Sequence, residues 1–317
     1  KIHARPIKTK GGGRGARLTL PNQNKDLHDN RLDVLGMDDA LVERVQALVD
    51  RQSGALLVTG PRDSGVSTTL PALLKHMDLF VMSVVALEEE PERELMQVTQ
   101  MEIDPSSGDD FQTVYRRAMR DEPDVLMVDT LEHREWMDPL FTFAAEDGML
   151  VGPLRVKRAP GAIIKLLRNG VGPGLLSRSL AGVLNQRLVR KLCPECKEEY
   201  EPSQKLRKRL NIGPEEPVTL YKAAGCGQCL ETGYRGRTAL FELLIFAGGV
   251  QKLVQKAAAG EAKLSSKALK KAAGSKTLRS LEKHGLKKVK KGVTSMQEVR
   301  RVLGGSRSRV AGAKKKQ

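Results

Sequence analysis

The sequence predicts an α/β protein built on a parallel sheet, and three observations predict it. Between residues 32 and 190, apolar runs of strand length alternate with amphipathic helical segments, the pattern of strands joined by crossover helices. One run, ALLVT at residues 55–59, leads directly into GPRDSGVSTTL, which has the order strand, glycine turn, helix start. The chain has 317 residues and is 40% apolar, enough for one large core or two modest ones. No stretch approaches the roughly 18–20 unbroken apolar residues of a membrane span, and KIHARPIKTK at the start lacks an apolar signal segment. The chain therefore reads as cytoplasmic.

The elements follow in order. Residues 1–31 hold a Gly-rich turn (GGGRGAR), a short β-like piece (RLTL) and a polar linker, with no helix or strand start at the first residues. A start of this kind, on lysine, implies a fragment of a longer protein. DALVERVQALVDRQ places Leu41, Val42, Val45 and Leu48 at helical spacing. After the strand at 55–59, the Ser and Thr residues of STTLPALLKHM suit a helix start, with Pro71 tolerated in a first turn. LFVMSVVAL at residues 79–87 reads as a buried strand ending in three glutamates and Pro91. FQTVYRRAMR reads as a helix, DVLMVD at residues 124–129 and GMLVGPL as strands, and PGAIIKLLRNG as a helix closed by Gly170. After Arg190 comes a cysteine-bearing segment, and beyond Ile245 the chain turns to Ala/Lys/Leu helices. The expected units are 1–31, 32–190, 191–245 and 246–317.

The net charge of +16 is not spread evenly. Residues 251–317 carry 20 Lys/Arg and 3 Asp/Glu, an excess of +17, which leaves 34 − 35 = −1 for the first 250. A basic tail favours an anionic partner, phosphate or lipid, while its plainer reading is a solvated lysine-rich helical face. The tail has no Phe, Tyr or Trp, which counts against single-strand binding by stacking.

All four cysteines fall in two CxxC pairs, Cys193/Cys196 and Cys226/Cys229, with 29 residues between the pairs. Two tight knuckles, with Pro194 and Gly227 at their turns, suit structural zinc held by four thiolates. The alternatives are reduced unligated thiols or two redox pairs. A closed four-cysteine site has no open position, so its metal would fold the segment rather than catalyse. The histidines, His3, His28, His76, His133 and His284, show no ligand spacing and read as surface or packing residues.

A phosphate loop works through backbone N–H groups at a helix start, a lysine on the β/γ-phosphates and a Ser/Thr hydroxyl on magnesium. Gly60, Pro61, Ser64, Gly65, Ser67 and Thr68 keep that frame, but Val66 stands where GxxxxGK[ST] has lysine.

The order GPRDSGVSTTL, DEPDVLMVD, GVGPGLLSRSLAGVLNQRLVRKLCPEC, CGQCLETGYRGRTALFELL and HGLKKVKKGVTSMQEV resembles the type II secretion and type IV pilus assembly ATPases, over residues 32–303. QRLVRKLCPEC and TGYRGRTALFELL are the most specific parts. The resemblance implies a RecA-like P-loop core, with residues 1–31 as the end of an upstream PAS-like domain. It also implies a cytoplasmic hexamer at the inner-membrane base of a secretion or pilus machine.

Carried over residue by residue, the resemblance implies further site residues. Glu89 falls on the acidic-box glutamate that activates water, with Glu90 in place of an aspartate before Pro91. Asp63 stands where the family usually has glycine, so the loop loses a cation and gains an anion. Unit charges about 4 Å apart are worth on the order of 4 kcal/mol at an effective dielectric near 20. Thr130 falls on the Walker B glutamate and Asp129 on a glycine. Asp129, ending an apolar strand, is with Ser67 the magnesium candidate. GPLRVKRAP corresponds to the histidine box, one residue shorter, with Arg155 near the histidine's place. Arg116 and Arg120 match basic positions used near nucleotide or a neighbouring subunit.

The expected function is a pseudo-ATPase: a zinc-stapled scaffold subunit of a secretion or pilus assembly, as a homo-oligomer or in a mixed ring with an active paralogue, with ATP/Mg binding weakened or lost. The alternatives are an active ATPase in which Arg62 or a neighbour's arginine replaces the lysine, and a nucleic-acid-binding module acting through the basic tail.

Overall fold

The computed structural model describes residues 3–8 and 14–19 as backbone, and 31–91, 94–213 and 215–304 in full. Strands β1 (His3–Lys8) and β2 (Arg14–Thr19) pair antiparallel, so the N-terminal stretch does contain a strand start. The expected linker at residues 21–30, with His28, lies outside the described residues, as does the end of the basic tail.

Helix α1 (Asp39–Val49) is capped by the Asp38 side chain accepting from the Leu41 N–H, and it buries Leu41, Val45, Leu48 and Val49. Then follow β3 (Gly54–Thr59), α2 (Val66–Leu74), β4 (Val84–Glu88), β5 (Thr99–Glu102), α3 (Phe111–Arg120) and β6 (Val125–Val128). After these come α4 (Met137–Glu146), β7 (Met149–Leu154), α5 (Ala159–Arg168), α6 (Pro173–Ser179) and β8 (Leu180–Leu192). The cysteine segment carries β9 (Glu198–Tyr200), α7 (Gln204–Leu210) and β10 (Leu220–Lys222), and β11 (Tyr234–Ile245) follows it. The tail forms α8 (Gly249–Ala258), α9 (Ser266–Thr277), β12 (Leu278–Arg279), α10 (Leu281–Lys290) and α11 (Met296–Leu303).

The main sheet has eight strands in the order β12-β11-β8-β3-β7-β6-β4-β5. The six from β8 to β5 are parallel, and β11 and β12 are added antiparallel at one edge. All six β3 residues are buried, as a strand covered on both faces must be. Ala55 and Leu57 face one core with α3, α4, α5 and α6, while Leu56 and Val58 face a second core with α1 and α2.

Three expectations need correction. The strand expected at residues 79–87 begins only at Val84, and Phe80 and Val81 are 88% and 79% exposed. An apolar run alone does not separate a turn from the strand it precedes. Helix α2 is capped by Gly65, in a left-handed conformation without a side-chain cap, rather than by its Ser and Thr residues. Pro71 lies inside that helix, beyond its first turn, where it has no N–H to give the carbonyl four residues earlier.

Residues 234–245, grouped by sequence with the cysteine segment, are β11 of the main sheet, paired along most of their length with β8. The cysteine lobe is thus a long hairpin insertion between two neighbouring strands. The tail helices also join the body: Val250, Val254, Leu269 and Ala273 are in the larger core. His284 accepts the Phe241 N–H at 2.9 Å, and burial pulls its pKa down to about 3. His76 accepts the Leu32 N–H. Both match the packing role expected of them.

Candidate functional site

The loop between β3 and α2 has the backbone of a phosphate-binding nest. Gly65 lies at φ +86° and Asp63 at φ +61°. At the second angle the chain turns left-handed, and aspartate is among the few residues besides glycine that follow it. A side chain at Gly60 would collide with the Ser64 hydroxyl and the Gln186 carbonyl. The loop is held from beneath by β8, where Gln186 Nε2 donates to the Ser64 carbonyl at 2.7 Å and Asn185 Nδ2 donates to Thr59 Oγ1 at 2.9 Å. Neither β8 residue was singled out from sequence, because only strand pairing places them under the loop. Val66 opens α2 and packs partly against the core beneath it.

The loop forms one wall of a cleft of about 570 Å³. Gly60, Pro61, Ser64, Gly65 and Ser67 line it together with Glu89 and Asp129, so these expected site residues converge. Thr68, Arg116 and Arg120 are not among its lining residues, and Arg116 turns back to the Gln112 carbonyl of its own helix.

Asp129 follows β6, and its Oδ2 accepts the Glu89 and Glu90 N–H groups at 2.8 and 3.3 Å. Burial pushes this carboxyl up to about 6; the two N–H donors oppose the shift, and the carboxylates of Glu89 and Glu88 add to it. Its other oxygen is buried without a partner among the described residues. The Thr130 hydroxyl accepts the Glu132 N–H at 3.3 Å.

Glu89 Oε1 lies 2.8 Å from His133 Nε2, and the His133 ring stacks on Trp136 at 4.3 Å. The packing role expected for His133 is thus incomplete, since it also meets the candidate catalytic carboxylate. Forty-four residues separate the pair, and no spacing rule links them.

The charged lining is lopsided. Asp63, Glu88, Glu89, Glu90, Asp129 and Glu132 supply six carboxylates, against the guanidiniums of Arg62 and Arg155. Glu132 is itself paired with Lys165 at 2.6 Å.

Far along β8, the pairing of Leu192 with Tyr234 brings the two CxxC knuckles together. The four Sγ atoms lie within 4.8 Å of one another. The Cys193–Cys226, Cys196–Cys229 and Cys226–Cys229 separations are 4.0, 3.8 and 3.7 Å. Four sulfurs about 2.3 Å from one zinc would sit about 3.8 Å apart, so the donor set fits that ion. The Cys226 and Gly233 N–H groups point at Cys229 Sγ from 3.3 and 3.2 Å. Burial would raise the Cys229 thiol, but these donors win and hold it at about 6, favouring the thiolate a metal needs.

An α/β sheet with a phosphate-type loop at one strand end and a four-cysteine lobe between two others defines a P-loop-type scaffold with a four-cysteine insertion. The model of the Type II/IV secretion system protein family matches residues 12–301, and the chain belongs to that family. It is 35% identical over 296 residues to the type II secretion system ATPase E of Vibrio cholerae, covering 93% of this chain and 58% of that protein. It is 31% identical over 289 residues to the type IV pilus assembly ATPase PilB of Thermus thermophilus, covering 90% of this chain and 32% of that protein. The chain therefore spans less than two thirds of these relatives' length. Among solved structures, the Legionella pneumophila ATPase DotB superposes with a TM-score of 0.59 at 15% identity, covering 94% of this chain and 71% of the other. The pilus retraction motor PilT with bound ADP superposes with a TM-score of 0.51 at 20% identity, covering 89% and 72%. These two likenesses concern the fold.

Proposed function

We propose that this chain is a pseudo-ATPase: a P-loop scaffold subunit of a type II secretion or type IV pilus assembly, in which the nucleotide cleft has lost its chemistry. The charge of the cleft carries the reading. Six carboxylates face two arginines, and Val66 supplies no cation where a triphosphate would carry its highest charge. Two candidate catalytic groups are also engaged elsewhere. One Asp129 oxygen holds two backbone N–H groups, and Glu89 is paired with His133 rather than free to take a proton from water. The scaffold persists because burial and turn geometry maintain it, while hydrolysis needs a few charges held in place.

Titration with a fluorescent ATP analogue separates the readings. At the phosphate loop wild type should bind weakly or not at all, and Val66→Lys should add a site at least about tenfold tighter, as one restored charge contact implies. Magnesium-dependent hydrolysis by wild type that Glu89→Gln abolishes would overturn the pseudo-ATPase reading in favour of an active motor using Arg62 or an arginine of a neighbouring subunit.

The same proposal assigns structural zinc to Cys193, Cys196, Cys226 and Cys229. When bound, zinc would close the lobe between β8 and β11 by tying four thiolates, with no position open for chemistry. Metal analysis should return about one zinc per chain. Chelation should unfold the β9–β10 lobe in hydrogen exchange while the main sheet stays protected, and a metal-free protein with a protected lobe would reject the assignment.

Relatives named for secretion and pilus assembly support a place in such machinery. The proposal puts the chain there as a homo-oligomer or beside an active paralogue, at the cytoplasmic face of the inner membrane. No helix among the described residues is long and apolar enough to cross a membrane.

A further inference from the structure

On the far side of Pro61 and Arg62 from the acidic cleft lies a second, more open groove of about 620 Å³. Its charged lining is Arg62, Arg155, Lys157, Lys165 and Arg168, with no carboxylate. Lys165 is paired with Glu132, but Arg62, Arg155, Lys157 and Arg168 have no ion-pair partner among the described residues. Four unpaired cations around one concavity repel one another, and an anion bridging them removes that repulsion. Asn169 and Ser266 add neutral polar groups to the lining, and Pro61, Val156 and Ile164 add apolar surface. The volume is that of a small-molecule pocket, with apolar walls and a few convergent charges.

We infer that this groove is a binding site for a small oligophosphate anion, adjoining the phosphate loop, with which it shares Pro61 and Arg62, and extending away from it to Lys157 and Arg168. Guanidinium forks hold phosphate oxygens in paired hydrogen bonds, and lysine adds a point charge, so three or four such groups match a chain of two or three phosphates. The apolar surface admits the flat ring of a nucleotide, so the ligand is either a nucleoside polyphosphate or an inorganic chain. Arg62 and Arg155 line both groove and cleft, whereas Lys157 and Arg168 line the groove alone, so variants at these two report on the groove.

Calorimetric titration of the full chain with tripolyphosphate and, separately, with ATP tests this. The variants are Lys157→Glu/Arg168→Glu and, as a control for the basic tail, Lys270→Glu/Lys271→Glu at exposed positions of α9. Wild type should show one saturable site that weakens as salt rises. The groove variant should bind about tenfold or more weakly, and the tail variant like wild type. Tighter binding by ATP would identify a nucleotide and tighter binding by tripolyphosphate an inorganic chain, and either carries the inference. Absence of a saturable site, an unchanged groove variant with a wild-type melting curve, or an equal loss in the tail variant would each overturn it. Should Val66→Lys restore ATP affinity while leaving tripolyphosphate unaffected, the cleft and groove are separate sites.

Discussion

At the scale of single residues, Asp129 links two walls of the cleft. An aspartate ending an apolar strand reads as a metal-shell carboxylate; here one oxygen clamps the Glu89–Glu90 turn and the other is buried without a partner among the described residues. Its pKa is raised from 3.8 to about 6, so its contribution to stability is full below pH 3.8 and is lost as pH rises through 6. Asp129→Asn keeps an acceptor for the N–H groups and removes the charge. Its melting temperature should exceed that of wild type above pH 6, with the gap closing toward pH 4; a gap that does not depend on pH would contradict this. The missing lysine at Val66 was plain from sequence, because a motif position is read directly. The left-handed backbone at Asp63 and the Glu89–His133 pair were not, because one is a dihedral angle and the other a contact across 44 residues.

At the scale of elements, α11 is fastened to β8 by one buried carboxylate. Glu298 pairs with Arg190 at 2.8 Å and Arg301 at 2.7 Å, and it also accepts the Arg190 N–H at 3.0 Å. Burial alone would raise its pKa, but the two guanidiniums and the N–H outweigh it and hold the group near 2. The stability it contributes is present above its ordinary 4.5 and is lost as pH falls through 2. Glu298→Ala should cost about 1–3 kcal/mol in urea unfolding at pH 7, since it strands a backbone donor and two cations. No change would mean that α11 is held by its apolar face alone. The alternation of α1, β3, α3, β6 and α5 was legible, because apolar spacing reports a helix or strand wherever one face meets a core. The role of β11 was not, since sequence shows an apolar run and not the strand it pairs with.

At the scale of the whole molecule, the basic tail is structural. Its charge left two readings, an anionic-partner module and, more plainly, a solvated lysine-rich helical face; α8 and α9 place Val250, Val254, Leu269 and Ala273 in the main core. In α10, Leu281 and Val289 are also buried. Lys287 and Arg279 pair with Asp38, the cap of α1. A chain ending at residue 250 should therefore lose its cooperative thermal transition, whereas reversing the exposed Lys270 and Lys271 should leave the melting temperature within about 2 °C, as exposed surface changes usually do. A truncated chain that still melts cooperatively would show the tail to be an appendage.

Strand β8 joins these scales. Gln186 lies in it under the loop, and seven residues on the chain reaches Cys193, a span of about 23 Å at roughly 3.3 Å per extended residue. It is hydrogen-bonded to β11 in unbroken register from Gln186 to Arg190, and the register shifts once before the Leu192–Tyr234 pair at the knuckles. Such a beam does not flex at its middle, so a push on the loop and a grip on the cysteine lobe act on one rigid lever. A subunit that has ceased to burn fuel would in this way still carry mechanical load from one end to the other.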